Sequence, residues 1–254
     1  AVEQGSPGLP GGAEADHTWC ASALWRGAAL LRRRLGQPER AIELWQRALQ
    51  LAPGFAPASE ELEQLLWGTG RFVELGDLLE RRLSSATERR GELLEQLAAL
   101  CAGPLEAPER LAVCLKQLRS ERPDDVSVAQ RLVEVLDQLG RHDEQFELLQ
   151  TLELESRDEA TQLSCKLRRA QLAEGALGRT DTALEIYREV LESSPGHPYA
   201  FTAAEGLLRR SGRYEDLAAL MRQAADDTLD EEGRSFALRR LASVYTRHLG
   251  QQDK

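Results

Sequence analysis

AQLAEGALGRTDTALEIYREVLESSP, residues 170–195, is the stretch from which the rest of the chain can be read. Gly178 stands near its middle. Ala170 lies eight residues before it, Leu172 six before and Leu177 one before; Tyr187 lies nine after and Pro195 seventeen after. Apolar residues three and four apart make a stripe along one helical face. Glycine permits the left-handed cap that ends a helix, and proline cannot continue one and restricts the residue before it. The spacing predicts two helices joined by a turn at Gly178, packed face to face. A small residue such as Ala170 lets two helix axes come close, and a bulky one such as Tyr187 fills the gap beside it.

Working outward, the same pattern recurs. Turns fall at Gly36, Gly70, Glu106, Gly140, Gly178, Gly212 and Gly250, at spacings of 34, 36, 34, 38, 34 and 38 residues. Alternate turns are 70, 72 and 72 residues apart, so the true unit is a pair of helical hairpins. In the odd hairpins the residue eight before the turn is Ala28, Ala98, Ala170 and Ala242; six before come Leu30, Leu100, Leu172 and Val244. One before come Leu35, Leu105, Leu177 and Leu249, nine after Trp45, Leu115 and Tyr187, and seventeen after Pro53, Pro123 and Pro195. In the even hairpins Leu66, Leu136 and Leu208 stand four before the turn, and Arg71, Arg141 and Arg213 one after. Helices are predicted at about 17–35, 38–51, 57–69, 72–84, 86–102, 107–120, 125–139, 142–154, 157–177, 180–193, 198–211, 214–226 and 229–249.

Composition agrees. The 254 residues include 44 Leu but only nine Val and two Ile, and 5% are aromatic. Leucine suits helices, whereas strands favour β-branched and aromatic side chains, so the chain is predicted to be all-α. No uncharged apolar run is long enough for a transmembrane helix. The formal charge of −10 disfavours binding to a phosphate backbone. Four cysteines without close pairing give no disulfide framework, which favours a reducing compartment such as the cytoplasm.

A repeating helix–turn–helix with W-x2-L-G-x2-Y, then A-x3-F, then P is the signature of the tetratricopeptide repeat. This sequence resembles that family. Leu238-x2-Leu241-Ala242-x2-Tyr245 matches the first half, and Ala41-x3-Trp45 with Pro53 and Ala183-x3-Tyr187 with Pro195 match the second. The resemblance implies a right-handed superhelical solenoid of about six antiparallel hairpins plus a terminal helix. It would occupy residues 17–254 behind a disordered Gly/Pro-rich lead-in, residues 1–16, and is expected to be part of a longer array. The even hairpins depart from the family. Leu75, Gln145 and Leu217 stand where a small Ala is usual, so their helices are expected to pack less closely.

No reactive constellation is visible. His17, His142, His197 and His248 are dispersed, and no metal-binding spacing or phosphate-loop motif occurs. No catalytic residue, metal or cofactor is expected. Cys101, Cys114 and Cys165 fall in core slots, and Trp45 shares the slot of Leu115 and Tyr187. Cys20 shares the slot of Arg90, so an exposed, reactive thiol is one reading of it. Trp19 is expected to cover the N-terminal end. Trp67 occupies a slot held elsewhere by Asp137 and Arg209, so it is either packed on a neighbour or presented as an anchor.

In the family, first helices line a concave groove that holds ligands. By those positions Trp67, Glu60, Gln64, Gln130, Glu134, Thr202 and Arg209 would face the partner. The Lys/Asn clamp that some relatives use for a terminal carboxylate is absent. The resemblance implies a protein-interaction scaffold, its partner another protein or peptide segment carrying apolar and basic groups. A structural spacer, self-association through open solenoid ends, or a regulatory array fused to an enzyme are the alternatives.

Overall fold

The computed structural model describes residues 12–85, 89–227 and 231–249. Residues 1–11 of the expected lead-in, the turn at Gly250 and the side chains of His248 and Leu249 lie outside the described residues. Thirteen α-helices follow one another, with no strand among the described residues. They are α1 (Gly12–Leu35), α2 (Pro38–Leu51), α3 (Ala56–Gly68), α4 (Phe72–Ser85), α5 (Arg90–Ala102), α6 (Pro108–Glu121) and α7 (Val126–Gln138). Then come α8 (His142–Glu155), α9 (Glu159–Glu174), α10 (Thr180–Ser193), α11 (Pro198–Arg210), α12 (Tyr214–Asp227) and α13 (Glu231–Val244). A π-turn, Tyr245–Leu249, continues α13. The protein is an all-α helical-repeat solenoid. It divides into two compact units, residues 1–135 and 136–254, the division falling inside α7.

Most boundaries lie within two residues of those the sequence predicts. Four differ by more: the starts of α1 and α5 and the ends of α9 and α13, where the expected start of α5 at residue 86 lies outside the described residues and α13 passes into the π-turn. Helix α1 begins at Gly12 rather than near residue 17. Helix α9 stops at Glu174 rather than near 177, because Gly175 follows and the Leu177 amide turns back to the Leu172 carbonyl (3.0 Å).

Each turn adopts the left-handed conformation its glycine allows. Gly36, Gly70, Gly140, Gly178 and Gly212 have φ between 61° and 71°, and Glu106 has φ of 45° in the same role. The two classes of turn close differently. In even turns the amides of Arg71, Arg141 and Arg213 each donate to the carbonyl five residues back, at 2.9 Å, the six-to-one bond of a Schellman cap. In odd turns the amides of Gln37, Ala107 and Arg179 donate six residues back, at 3.1, 2.9 and 2.7 Å. Each even-turn arginine also binds the acid three residues on: Arg71 to Glu74 (2.6 Å), Arg141 to Glu144 (2.6 Å) and Arg213 to Asp216 (2.7 Å).

The cores follow the repeat. In the first unit Ala28, Ala41 and Trp45 are fully buried where α1 meets α2. In the second, Ala170, Ala183 and Tyr187 hold the same places between α9 and α10 within one apolar cluster. The backbones of α3/α4 and α11/α12 come close over far fewer residues than those of α1/α2, α5/α6 or α9/α10. Leu75 and Leu217 are nevertheless buried, because the longer side chain fills the wider gap.

Candidate functional site

The seven residues singled out on first helices are all exposed. The structure places them on three helices. Glu60, Gln64 and Trp67 lie at i, i+4 and i+7 on one face of α3 in the first unit. Gln130 and Glu134 share a face of α7, and Thr202 and Arg209 share one of α11 in the second unit.

Trp67 packs on a neighbour and is also exposed. Its ring meets Phe72 edge-on, with centroids 5.4 Å apart and planes at 73°. It still leaves 57% of its surface exposed. An aromatic held at its edge and open on its face loses little rotamer freedom when something binds it. The acids around it are already partly used. Glu61 accepts from Arg32 (2.5 Å) and Arg33 (2.9 Å), and Glu63 pairs with Arg82. Burial pushes the Arg82 guanidinium below its ordinary value, while Glu60 pulls it back.

On α11 the expected residues are engaged in the fold. Thr202 Oγ1 donates to the Pro198 carbonyl (2.8 Å). Arg209 lies 2.8 Å from Glu205, a buried carboxylate that Arg240 of α13 also holds. Two guanidiniums there offset the desolvation of one carboxylate.

Other tryptophans settle the remaining readings. Trp45 is fully buried, as its slot requires. Trp25 is half-buried and meets Phe55 edge-on at 6.2 Å. Trp19 is 70% exposed, so most of its ring faces solvent rather than being spent on covering an end. Cys20 is half-buried, while Cys101, Cys114 and Cys165 are buried.

Several features were not anticipated. Two clefts open on the second-helix side of the first unit. One, of about 520 Å³, lies between α4 and α6 over Leu97 of α5, with Leu83, Val113 and Cys114 on its walls and Arg90 and Arg110 at its rim. The other, of about 350 Å³, lies between α2 and α4 over Leu62 and Leu66. None of the seven residues lines either cleft. The thiols of Cys101 and Cys114 face one another across α5 and α6, and their interaction holds the pKa of Cys101 below the ordinary thiol value and that of Cys114 above it. In the second unit Tyr199 is exposed, accepts from Gln171 (2.9 Å) and packs edge-on against Tyr187 at 6.3 Å. Tyr187 in turn donates to Glu174 (3.1 Å), and burial pushes the pKa of its phenol up. Among the described residues no three His, Cys, Asp or Glu side chains gather closely enough to hold a metal ion. No described helix is long and apolar enough to cross a membrane.

Two tetratricopeptide repeat models match the chain, one over residues 22–55 and the other over residues 165–197. Both matches fall on odd hairpins, α1/α2 and α9/α10. No curated protein matches the chain in sequence. Among solved structures the chain is similar to one in the Naa15/Naa10 complex bound to HypK-THB, with a TM-score of 0.54 and 15% identity over 91% of this chain. It spans 36% of that longer chain, and the likeness shows the fold. A tetratricopeptide repeat protein from Parabacteroides merdae aligns over 92% of this chain and 93% of its own, at 15% identity and a TM-score of 0.35. YrrB, described as a TPR protein with an unusual peptide-binding site, aligns over 86% and 92% at 20% identity and a TM-score of 0.32.

Proposed function

We propose that this chain, a tetratricopeptide-repeat protein, is a non-catalytic scaffold that captures a segment of another protein on its first-helix side, with Trp67 as the anchor. The carrying observation is the indole itself: large, mostly exposed, and braced by Phe72 at its edge. Exposed aromatics in fixed orientations dominate the energetics of interfaces. Glu60 and Gln64, two turns and one turn before Trp67 on the same face, supply a charge and an amide for the flanks of the ligand. A partner segment with an apolar side chain beside basic ones complements that surface. Gln130 and Glu134 offer the same pairing on α7, and Thr202 and Arg209 a weaker one on α11 because both are tied to their own fold.

The test is capture from native lysate by the wild-type chain beside Trp67→Ala, followed by affinity measurement with the captured protein. Losing a hot-spot aromatic weakens binding by about 2 kcal/mol or more, roughly thirtyfold. A partner held equally well by Trp67→Ala and by Glu60→Ala with Gln64→Ala would place the binding site elsewhere.

A further inference from the structure

The odd hairpins repeat one another slot by slot, which shows what two of the cysteines are not needed for. Five residues before the turn, the slot of Cys101 holds Leu31 in one odd hairpin and Ala173 in another. Eight residues after the turn, the slot of Cys114 holds Leu44 and Ile186. An aliphatic side chain therefore meets the packing requirement at either place. The α5/α6 hairpin instead puts a thiol in both, and these two slots face one another.

Cys101 lies in the last turn of α5 and Cys114 in the second turn of α6, on helices that pack closely together. Both side chains are buried, at 1% and 4% exposure. A path to the pair is nevertheless open. Cys114 stands in the wall of the cleft of about 520 Å³ between α4 and α6, beside Leu83, Leu97 and Val113. An oxidant of a few atoms can reach the sulfurs through that cleft while the hairpin stays folded. The surroundings also favour a thiolate within the pair. Cys114 first, and the Arg110 guanidinium at the cleft rim after it, hold Cys101 below the ordinary thiol value. Cys165, on α9 in the second unit, is pushed the other way by burial.

We infer that Cys101 and Cys114 are a reversible oxidation site, a dithiol that hydrogen peroxide entering the cleft converts to a disulfide, making the first unit harder to unfold. The thiolate of the pair attacks one peroxide oxygen. The S–O bond forms, the O–O bond breaks, and the released hydroxide takes up the proton that the thiol gave, leaving as water. The second sulfur then attacks the sulfenic sulfur. The S–S bond forms, the S–O bond breaks, and hydroxide leaves with the second thiol's proton as another water. Two thiols have lost two electrons and two protons, and one peroxide has become two waters. A dithiol reductant reverses the change by exchange. The bridge ties α5 to α6 across their turn and so restricts the unfolded chain more than the folded one.

The experiment treats the full chain with hydrogen peroxide, alkylates the remaining thiols with iodoacetamide in denaturant, and maps the peptides by mass spectrometry. The expected product is an intramolecular Cys101–Cys114 cross-link lighter by two hydrogens, with Cys20 and Cys165 alkylated. Dithiothreitol is expected to restore all four thiols. A variant carrying Cys20→Ser and Cys165→Ala keeps the pair alone and is expected to give the same product. Cys101→Ala, which places in α5 the residue that Ala173 supplies in α9, is expected to give no intramolecular bridge. The oxidised wild-type chain is expected to melt about 5 °C or more above the reduced one, a shift that Cys101→Ala abolishes. Full alkylation of Cys101 and Cys114 after treatment, sulfinic acid at either without a cross-link, or a bridge that forms only in denaturant overturns the inference. So does a cross-linked chain that melts no higher than the reduced one.

Discussion

The odd and even hairpins solve one packing problem in two ways. Between α9 and α10 the backbones close on Ala170 and Ala183, and Tyr187 fills the space beside them. Between α11 and α12 the position equivalent to Ala183 is Leu217, and the backbones stand further apart. Both interfaces are dry, with Ala183 and Leu217 alike fully buried. The difference lies in whether the backbone or the side chain spans the gap. Packing density is nearly constant in protein interiors, so a larger seam residue and a wider axis separation go together. The turns follow suit, since odd turns carry one residue more between their closing groups than the Schellman caps of even turns. That both family-model matches fall on odd hairpins fits the same division, because the A-x3-aromatic element survives in those two.

The comparison can be attacked at its strongest point first. Trp45→Ala in the fully buried odd seam of α1/α2 is expected to cost about 3–5 kcal/mol, the usual range for deleting a large aromatic core residue. Urea denaturation followed by far-UV circular dichroism would show it, and a cost below about 2 kcal/mol would mean that close backbones rather than the aromatic hold the hairpin together. The even seam gives the next effect. Leu217→Ala is expected to cost about 2–5 kcal/mol, since α11 and α12 cannot close the cavity without reshaping their turn. If the hairpin instead relaxed to the odd geometry, the loss would be small. The reciprocal change, Ala183→Leu, forces a side chain into a gap set for a methyl group and is expected to cost about 1–3 kcal/mol. Equal and negligible effects for the two exchanges would erase the distinction.

Much of this was legible in the sequence, and the reason is the repetition. Four aligned copies turned single residues into slots, which located Ala28, Trp45 and Tyr187 in cores and singled out Trp67 as a departure. What stayed hidden depended on pairs of elements. The facing thiols of Cys101 and Cys114 follow from the rotational phase of α5 against α6, which the separate slots did not reveal. Glu205 is buried at an interior position of α11 because Arg209 and Arg240 converge on it, and the second of these lies 35 residues away. The two second-helix clefts are spaces between helices whose wall residues read as ordinary core. Tyr199 gave no signal as a surface feature, since its contacts with Gln171 and Tyr187 join residues of three helices.

The smallest effect isolates the turn from the helices it joins. Gly178 has φ of +62° with nothing near where a Cβ would stand, so Gly178→Ala changes only backbone strain and is expected to cost about 1 kcal/mol. Glu106 already bears that strain at φ of +45°. Replacing it with glycine relieves about 1–2 kcal/mol of left-handed conformation and returns about 0.4–1 kcal/mol through the freer unfolded chain. Glu106→Gly is therefore expected to stabilise the first unit by about 0.5–1 kcal/mol, seen as a higher urea midpoint with unchanged slope. A gain at Glu106 matched by a loss at Gly178 would show that odd turns share one backbone requirement whatever residue meets it. A loss at both would mean that the Glu106 side chain contributes more to the α5–α6 turn than its backbone strain costs, and the odd turns would then be alike in shape but not in what stabilises them.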